Sequence, residues 1–242
     1  LYSDEVSQGY NAYSILKTGR DEFGIFLPVS IRSFGDWKPP LQTYLMIPTI
    51  AIFGLNNWGV RLPSAILGTL TILVVYLLAQ ELLKLSTLVI PSTVEGSSKF
   101  GRFGMTRMHL QLLSALFIAL SPWHINLSRV ATENIVVTFL IIAGILSYLI
   151  SLNKGFKYLV VSFIVFSSTL FIYQAPRAFL PIFIPLMILV FSAKRELVKN
   201  KFVLVSLYLV FIIAPLIFVL FSPQLSLRIR TLSIFHDKLT QL

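Results

Sequence analysis

The stretch LPSAILGTLTILVVYLLAQELL, residues 62–83, decides the fold class because it is long and apolar. Glu81 is its one charged residue, and roughly 20 predominantly apolar residues are enough for a helix to cross a bilayer. Similar runs follow, and they predict five more spans at about 110–128, 135–152, 158–173, 178–193 and 202–222. The sequence therefore predicts an all-α, polytopic bundle of transmembrane helices.

The composition of the whole chain agrees with a membrane protein. Of its 242 residues, 56% are hydrophobic and 12% are charged, about half the usual charged share of a soluble domain. The net charge of +10 is typical of loops that set membrane orientation. No basic stripe interleaves with aromatic residues, so we expect no nucleic-acid partner. The chain has no cysteine, which excludes disulfides, thiol nucleophiles and thiolate metal sites.

The first 61 residues differ from the rest. Residues 41–55 are apolar but short, and a run of this length is more often re-entrant or interfacial than spanning. We expect 1–61 to be an extracytoplasmic catalytic loop with juxtamembrane helices, 62–222 to hold the transmembrane helices and 223–242 to begin an outer loop. Because the chain starts with Leu and stops in a polar segment, we expect it to be truncated at both ends.

Residues 4–18 are predicted to form an amphipathic helix. Ser3 is the predicted N-cap, and Thr18-Gly19 is the predicted stop. Its apolar residues recur at roughly helical spacing, at Val6, Tyr10, Tyr13 and Leu16.

The basic residues predict the orientation of the helices. Loops 84–109, 153–157 and 194–201 share one face and carry half of the 20 Lys and Arg residues. The positive-inside rule makes this face cytoplasmic, so residues 1–61 lie outside a cytoplasmic (inner) membrane. If 41–55 instead crosses the bilayer, the start of the chain falls in the cytoplasm.

Charged residues of both signs then collect on the outer face, near helix ends. Charges there are costly unless they are paired, hydrated or used, so the set suggests a polar site. The alternative is that they are ordinary loop charges that set the topology. Arg129 and Glu133 are about one turn apart and could simply pair with each other. The full set is Asp4, Glu5, Lys38, Arg61, Arg129, Glu133 and Arg177.

Several stretches together resemble a known family. The most specific features are an acidic pair, a Lys-Pro-Pro and an Arg-Leu-Pro-Ser in this order. The stretches are SDEVSQGYNAYSILKTGRDEFG, GDWKPPLQTYLMIPTIAIFG, GVRLPSAILGTLTILVVYLLAQEL, SPWHINLSRVATEN and YQAPRAFLP. Over residues 3–190 the chain resembles the start of a bacterial family 39 glycosyltransferase, the group of protein O-mannosyltransferases and aminoarabinose transferases with a GT-C fold.

The resemblance implies a function. Such enzymes move a sugar from a polyprenyl-phosphate donor to an extracytoplasmic acceptor, usually with inversion. A protein hydroxyl, a glycolipid and a cell-surface glycan all stay open as the acceptor. By the family pattern, Asp4 is the general base that takes the acceptor proton, and Glu5 supports it. Lys38 of the Lys-Pro-Pro binds the donor phosphate, with Arg61 or Arg177 as a second contact.

Other readings of the chain remain. The acidic loop has no D-x-D motif, and His109, His124 and His236 are scattered, so we expect a metal-independent reaction without a cofactor. A flippase or transporter for lipid-linked sugars would use a similar charged cluster, although it should show internal repeats, which the sequence lacks. A membrane binding subunit, including an inactive relative, is the third alternative.

Overall fold

A computed structural model describes residues 1–33, 36–89, 107–192 and 201–221. The elements in chain order are α1 (Ser3–Thr18), β1 (Ile31–Ser33), β2 (Asp36–Lys38), α2 (Leu41–Phe53), α3 (Asn57–Val89), α4 (Arg107–Leu120), α5 (Pro122–Arg129), α6 (Glu133–Lys154), α7 (Phe156–Leu170), α8 (Ala175–Ser192), α9 (Lys201–Tyr208), a π-helical segment (Leu209–Ile213) and α10 (Ala214–Phe221). The predicted all-α membrane fold is confirmed. The short antiparallel ribbon β1–β2 is an addition that the sequence did not predict.

Three helical stretches in the described part of the chain are long and apolar enough to cross a membrane. They are Asn57–Leu85, Glu133–Lys154 and Phe202–Phe221. The shorter α7 and α8 are apolar, and for them membrane crossing stays a prediction.

The predicted helix 110–128 is not continuous. It is divided into α4 and α5, which meet at an angle of 58°. The cause lies at the junction, where Ser121 is extended and its side chain accepts a hydrogen bond from the backbone N–H of His124. Pro122 begins α5, where its missing N–H costs nothing, but it cannot continue the hydrogen-bond ladder of α4.

Two prolines inside helices mark where neighbouring helices join. Pro63 cannot donate to the carbonyl of Gly59, and the hydroxyl of Thr49 in α2 donates to that oxygen over 2.6 Å. Pro185 likewise frees the carbonyl of Pro181, which accepts from the Tyr208 hydroxyl at 2.9 Å. Each proline therefore creates an acceptor that ties its helix to another.

The larger apolar core lies between α6, α7, α8 and the segment 201–221. Gly144 lets α6 and α7 approach closely, because a Cβ at this position would lie 2.7 Å from the ring of Phe166. The carbonyl of Gly144 also accepts from the Ser162 hydroxyl at 2.8 Å. This core holds the helices together away from the charged cluster.

The second half of α2 packs at the start of α3. Met46 and Ile50 form a small buried core with Ala12 of α1 and Val60 of α3. The Thr49–Gly59 hydrogen bond lies in the same place. This half of α2 therefore lies at the end of the bundle where α3 begins.

The first half of α2 packs at the same end of the bundle. Leu41 and Leu45 lie against a buried cluster that includes Ile135, near the start of α6, and Ile172, just after α7. Because antiparallel neighbours bring these helix ends together, α2 lies along one end of the bundle. This placement favours the interfacial or re-entrant interpretation of 41–55, although the side of the membrane stays a prediction.

The orientation of α1 differs from the expectation. The apolar row of Val6, Tyr10, Tyr13 and Leu16 is the exposed side, and the buried side is mostly polar or small. The helix also begins after Tyr2, so Ser3 is not the N-cap, whereas Gly19 ends it with φ of 71° as predicted. The physical reason is that the inward polar groups find hydrogen-bond partners on α6, on α3 and in the loop after α1. They are Glu5, Gln8 and Asn11.

Several predicted features lie outside the described residues. They are the loop charges Lys99, Arg102, Lys194, Arg195 and Lys199, together with His236 and the tail 223–242.

Candidate active site

Glu5 is the centre of a buried network that joins three parts of the chain. Its side chain is 1% exposed. Arg61 of α3 donates from Nε to Oε1 at 2.9 Å and from Nη2 to Oε2 at 2.7 Å. The backbone N–H of Ala131 donates to Oε1 at 2.9 Å, and that of Tyr2 donates to Oε2 at 2.8 Å. Each carboxylate oxygen therefore accepts two hydrogen bonds.

These contacts keep Glu5 ionised. Burial by itself would raise the pKa of this carboxyl, but the Arg61 hydrogen bonds and the two backbone N–H groups outweigh burial and lower the pKa from 4.5 to about 2. A carboxylate that accepts four hydrogen bonds, two of them from one bidentate arginine, is well suited to fix a helix in place. Glu5 therefore holds α1 on α3 and on the turn between α5 and α6.

A second buried contact supports the same arrangement. Gln8, one turn after Glu5, donates from Nε2 to Oε1 of Glu133 at 2.8 Å. The possible pairing of Arg129 with Glu133 is not among the ion pairs of the described residues, and α5 ends at Arg129, with the chain extended at Val130 before α6 begins. The spacing of one helical turn has meaning only within a continuous helix.

Asp4 lies beside this buried network and differs from Glu5 in its exposure. Its side chain is 61% exposed, and its Oδ1 lies 2.6 Å from Nζ of Lys38, whose side chain is 7% exposed. Lys38 is the last residue of β2 and pairs with Ile31 in the ribbon, so the ribbon presents the lysine to the start of α1. The structure thus brings an accessible carboxylate and a buried cation together, as the sequence suggested.

The residues of the Arg-Leu-Pro-Ser motif make several contacts around this site. Arg61 binds Glu5, and Pro63 frees the carbonyl that Thr49 reaches. Ser64 accepts a hydrogen bond from Nε2 of Gln42 at 3.0 Å. The sequence reasoning missed Gln8, Gln42 and Thr49, although polar residues within apolar helices are a signal for such contacts.

Arg177 and Arg129, the remaining cations of the predicted site, lie outside the contacts of Asp4 and Glu5. Arg177 is buried and donates from Nε to the carbonyl of Leu170, the last residue of α7, at 3.0 Å. A cation at a helix C-terminus satisfies an unpaired carbonyl and complements the helix dipole. Arg129 is exposed and lines a cavity together with Arg61.

A known family matches part of the chain. Residues 37–94 match the family model of the dolichyl-phosphate-mannose-protein mannosyltransferases. The sequence resemblance to family 39 is confirmed. The matched segment is a minority of the chain, but it contains Lys38, α2 and the Arg-Leu-Pro-Ser motif, and it supports a membrane glycosyltransferase of the mannosyltransferase type. No curated protein and no solved structure matches the chain significantly.

No metal-binding group can be assembled from the described residues. Among them, no three or more His, Asp or Glu side chains are grouped as metal ligands. His124 is buried, and its Nε2 lies 3.0 Å from the carbonyl oxygen of Gly68, so it links α5 to α3. The metal-independent reaction stays a prediction.

Proposed function

We propose that the protein is a membrane glycosyltransferase that moves a sugar from a polyprenyl-phosphate donor to an acceptor hydroxyl on the extracytoplasmic side of the cytoplasmic membrane. The observation that carries the proposal is the exposed carboxylate of Asp4, 2.6 Å from the buried ammonium of Lys38. Lys38 belongs to the segment that matches the mannosyltransferase family, and the name of that family gives dolichyl-phosphate mannose as donor and a protein as acceptor.

Asp4 is assigned as the general base. The acceptor oxygen attacks the anomeric carbon from the face opposite the phosphate, and its proton passes to the carboxylate. The bond between that carbon and the phosphate oxygen breaks, and polyprenyl phosphate leaves with the bonding electrons. The product has the inverted configuration. Asp4 suits this role because its side chain is accessible to an incoming acceptor.

Lys38 is assigned to the donor phosphate. A fixed cation stabilises the charge that builds on a leaving phosphate, and the two following prolines restrict the backbone that carries it. The donor phosphate and Asp4 then compete for one ammonium. Donor binding would therefore release the Asp4 carboxylate from the ammonium and leave it free to face the acceptor.

Glu5 and Arg61 are assigned to positioning. Their hydrogen bonds to each other fix Asp4 one residue away, and the oxygens of Glu5 are occupied by four donors. We propose the same kind of role for Arg177, which holds the end of α7. The sequence predicts direct contact of Glu5, Arg61 or Arg177 with the donor or the acceptor, and these hydrogen bonds favour the positioning role instead.

The transfer reaction tests the assignment of Asp4 and Lys38. The protein is reconstituted in liposomes with a radiolabelled polyprenyl-phosphate sugar, and transfer to acceptor is measured. Asp4→Asn and Lys38→Ala should each lower the rate by about 100-fold or more. The matched control is Lys17→Ala, which removes an exposed cation from α1 and should leave the rate close to wild type. Full transfer in Asp4→Asn would remove the proposed base.

The same liposomes separate an enzyme from a transporter. A transferase consumes the labelled donor and labels the acceptor, whereas a flippase moves the intact donor across the bilayer. Movement of intact donor without any transfer in the wild type would favour the transporter.

The orientation can be tested by labelling, since the chain has no cysteine of its own. Single variants Lys17→Cys and Lys154→Cys place a thiol at an exposed position on α1 and at the opposite end of α6. An impermeant maleimide applied from outside should label the first and spare the second. The reverse pattern would place Asp4 in the cytoplasm and contradict the proposal.

A further inference from the structure

A cavity of about 470 Å³ lies between the first half of α3, the end of α4 and α5. Its walls along α3 run from Asn57 to Ile72, a length of roughly 20 Å at 1.5 Å per residue. The lining from the first turns of α3 and the last turn of α5 includes Arg61 and Arg129. Farther along α3 the lining is mainly apolar. The cavity therefore has a cationic end and an apolar end.

The cationic end carries more positive charge than its neighbours neutralise. Glu5 binds Arg61 through Nε and Nη2, and Nη1 forms no hydrogen bond within the described residues. Arg129 forms no ion pair with any residue of the described ranges. Two guanidinium groups thus line one cavity, and within the described residues only that of Arg61 is paired with a carboxylate. This imbalance favours an anion, and guanidinium groups bind phosphate in bidentate geometry.

The wall between α3 and α5 is rigid. Gly68 lies so close to Ser128 that a Cβ at position 68 would collide with the serine side chain. The ring of His124 reaches the carbonyl oxygen of the same glycine at 3.0 Å. The cavity is therefore formed by packed helices, as ligand sites usually are.

The surroundings of the cavity are typical of a membrane interface. Trp58, which lines the cavity, and Trp123, at the start of α5, are 72% and 69% exposed. Tryptophan is enriched where hydrocarbon meets the lipid head groups. Phe117 and Leu120 of α4 are also highly exposed, which suits contact with acyl chains. The cationic end thus includes Trp58, a residue type that favours the head-group level.

We propose that this cavity binds one acidic phospholipid of the surrounding bilayer. The lipid phosphate contacts Arg61 and Arg129, and an acyl chain runs along Leu62, Ala65 and Ile72. Neither Asp4 nor Lys38 lines the cavity, whereas Arg61, which holds Glu5 next to Asp4, does, so the cavity adjoins the proposed transfer site without containing its base or its phosphate-binding lysine. The proposal does not rest on transferase activity. It explains why two arginines line a groove that is otherwise mainly apolar.

Native mass spectrometry of the purified protein tests the proposal. The protein is titrated in mild detergent with phosphatidylglycerol, and separately with phosphatidylcholine of the same acyl chains. We expect one phosphatidylglycerol to be retained with clear preference. Arg129→Gln should weaken its binding about five-fold or more, because it removes one of the two cations. Ala65→Phe should weaken binding of the same lipid by filling the groove without changing the charge. The control Lys154→Gln, an exposed charge at the far end of α6, should bind like the wild type.

Three results would overturn the proposal. The first is equal binding of the two phospholipids, and the second is unchanged phosphatidylglycerol binding in both cavity variants. The third is displacement of phosphatidylglycerol by an equimolar amount of polyprenyl phosphate, which would show that the cavity binds the sugar carrier instead of a phospholipid. A thermal unfolding curve for each variant ensures that only folded protein is compared.

Discussion

The two ion pairs at the start of α1 are one residue apart in the chain, yet their surroundings are opposite. The Glu5 carboxylate is 1% exposed and bound by four donors, whereas Asp4 is 61% exposed and meets one lysine. In the pair of Glu5 with Arg61 the carboxylate is the more buried partner. In the pair of Asp4 with Lys38 the cation is the more buried partner. A carboxylate that is saturated and enclosed can hold a helix, while one that is exposed can meet a substrate. The acidic pair therefore divides into a structural residue and a chemical one.

Removal of the Glu5 carboxylate should have the largest effect on stability. Glu5→Ala leaves the Arg61 guanidinium and the Ala131 N–H without their partner, and it should lower the free energy of unfolding by about 3–5 kcal/mol. The measurement is denaturant unfolding in detergent micelles. Glu81→Ala is the control, since its pair with Lys84 spans three residues of one helix and should be worth about 1 kcal/mol or less. Equal losses in the two variants would contradict the special role of Glu5.

The second-largest effect should be the loss of stability at low pH, when Glu5 becomes protonated. Its pKa is lowered from 4.5 to about 2 in the folded protein, so protonation favours the unfolded state. Its contribution is fully present above about pH 4.5 and is lost as the pH falls towards 2. The loss should be about 3 kcal/mol. Unfolding curves at pH 6 and pH 3 should differ more for the wild type than for Glu5→Ala. Identical pH dependence in both would show that Glu5 titrates normally.

Gln8 should matter less than Glu5. Gln8→Leu removes the donor to Glu133 inside the protein and leaves the carboxylate of Glu133 without that partner, at a cost of about 1–3 kcal/mol. The double variant Gln8→Leu with Glu133→Leu should recover much of the loss, because both polar groups are then absent. A double-mutant cycle measures the coupling. Additive losses would mean that the hydrogen bond contributes nothing.

Asp4 should have the smallest effect on stability. In Asp4→Asn the side-chain oxygen can still accept a hydrogen bond from the buried Lys38 ammonium, and the charge that is lost lies on the exposed side of the pair. We therefore expect a change of about 1 kcal/mol or less in the free energy of unfolding. The thermal unfolding midpoint should stay close to that of the wild type. A loss as large as that of Glu5→Ala would make Asp4 a structural residue and remove the contrast between the two.

Much of the fold could be predicted from the sequence, because apolar length decides which segments can be membrane helices. Residues 62–83 and 135–152 are within α3 and α6 for this reason. The interior side of α1 could not be predicted in this way. Periodicity tells which residues share a face, but in a membrane protein the outward face can be the apolar one. Val6 and Tyr10 therefore point outward, while Glu5 and Gln8 are buried.

The site was predictable in part. The acidic pair and Lys38 were recognised by their order in the chain, and the structure places Asp4 and Lys38 in contact. The saturation of Glu5 could not be foreseen, because Ala131 is 126 positions away and contributes only its backbone N–H. Whether Arg129 and Glu133 share one helix could not be read from their spacing, because the chain leaves the helix between them.

The division between Asp4 and Glu5 is tested most directly by one paired measurement on Asp4→Asn. Sugar transfer in liposomes and the thermal unfolding midpoint are determined on the same preparation. The account predicts a fall in transfer of about 100-fold or more with an almost unchanged midpoint. Transfer near the wild-type rate, or a loss of transfer that follows a loss of folded protein, would contradict it.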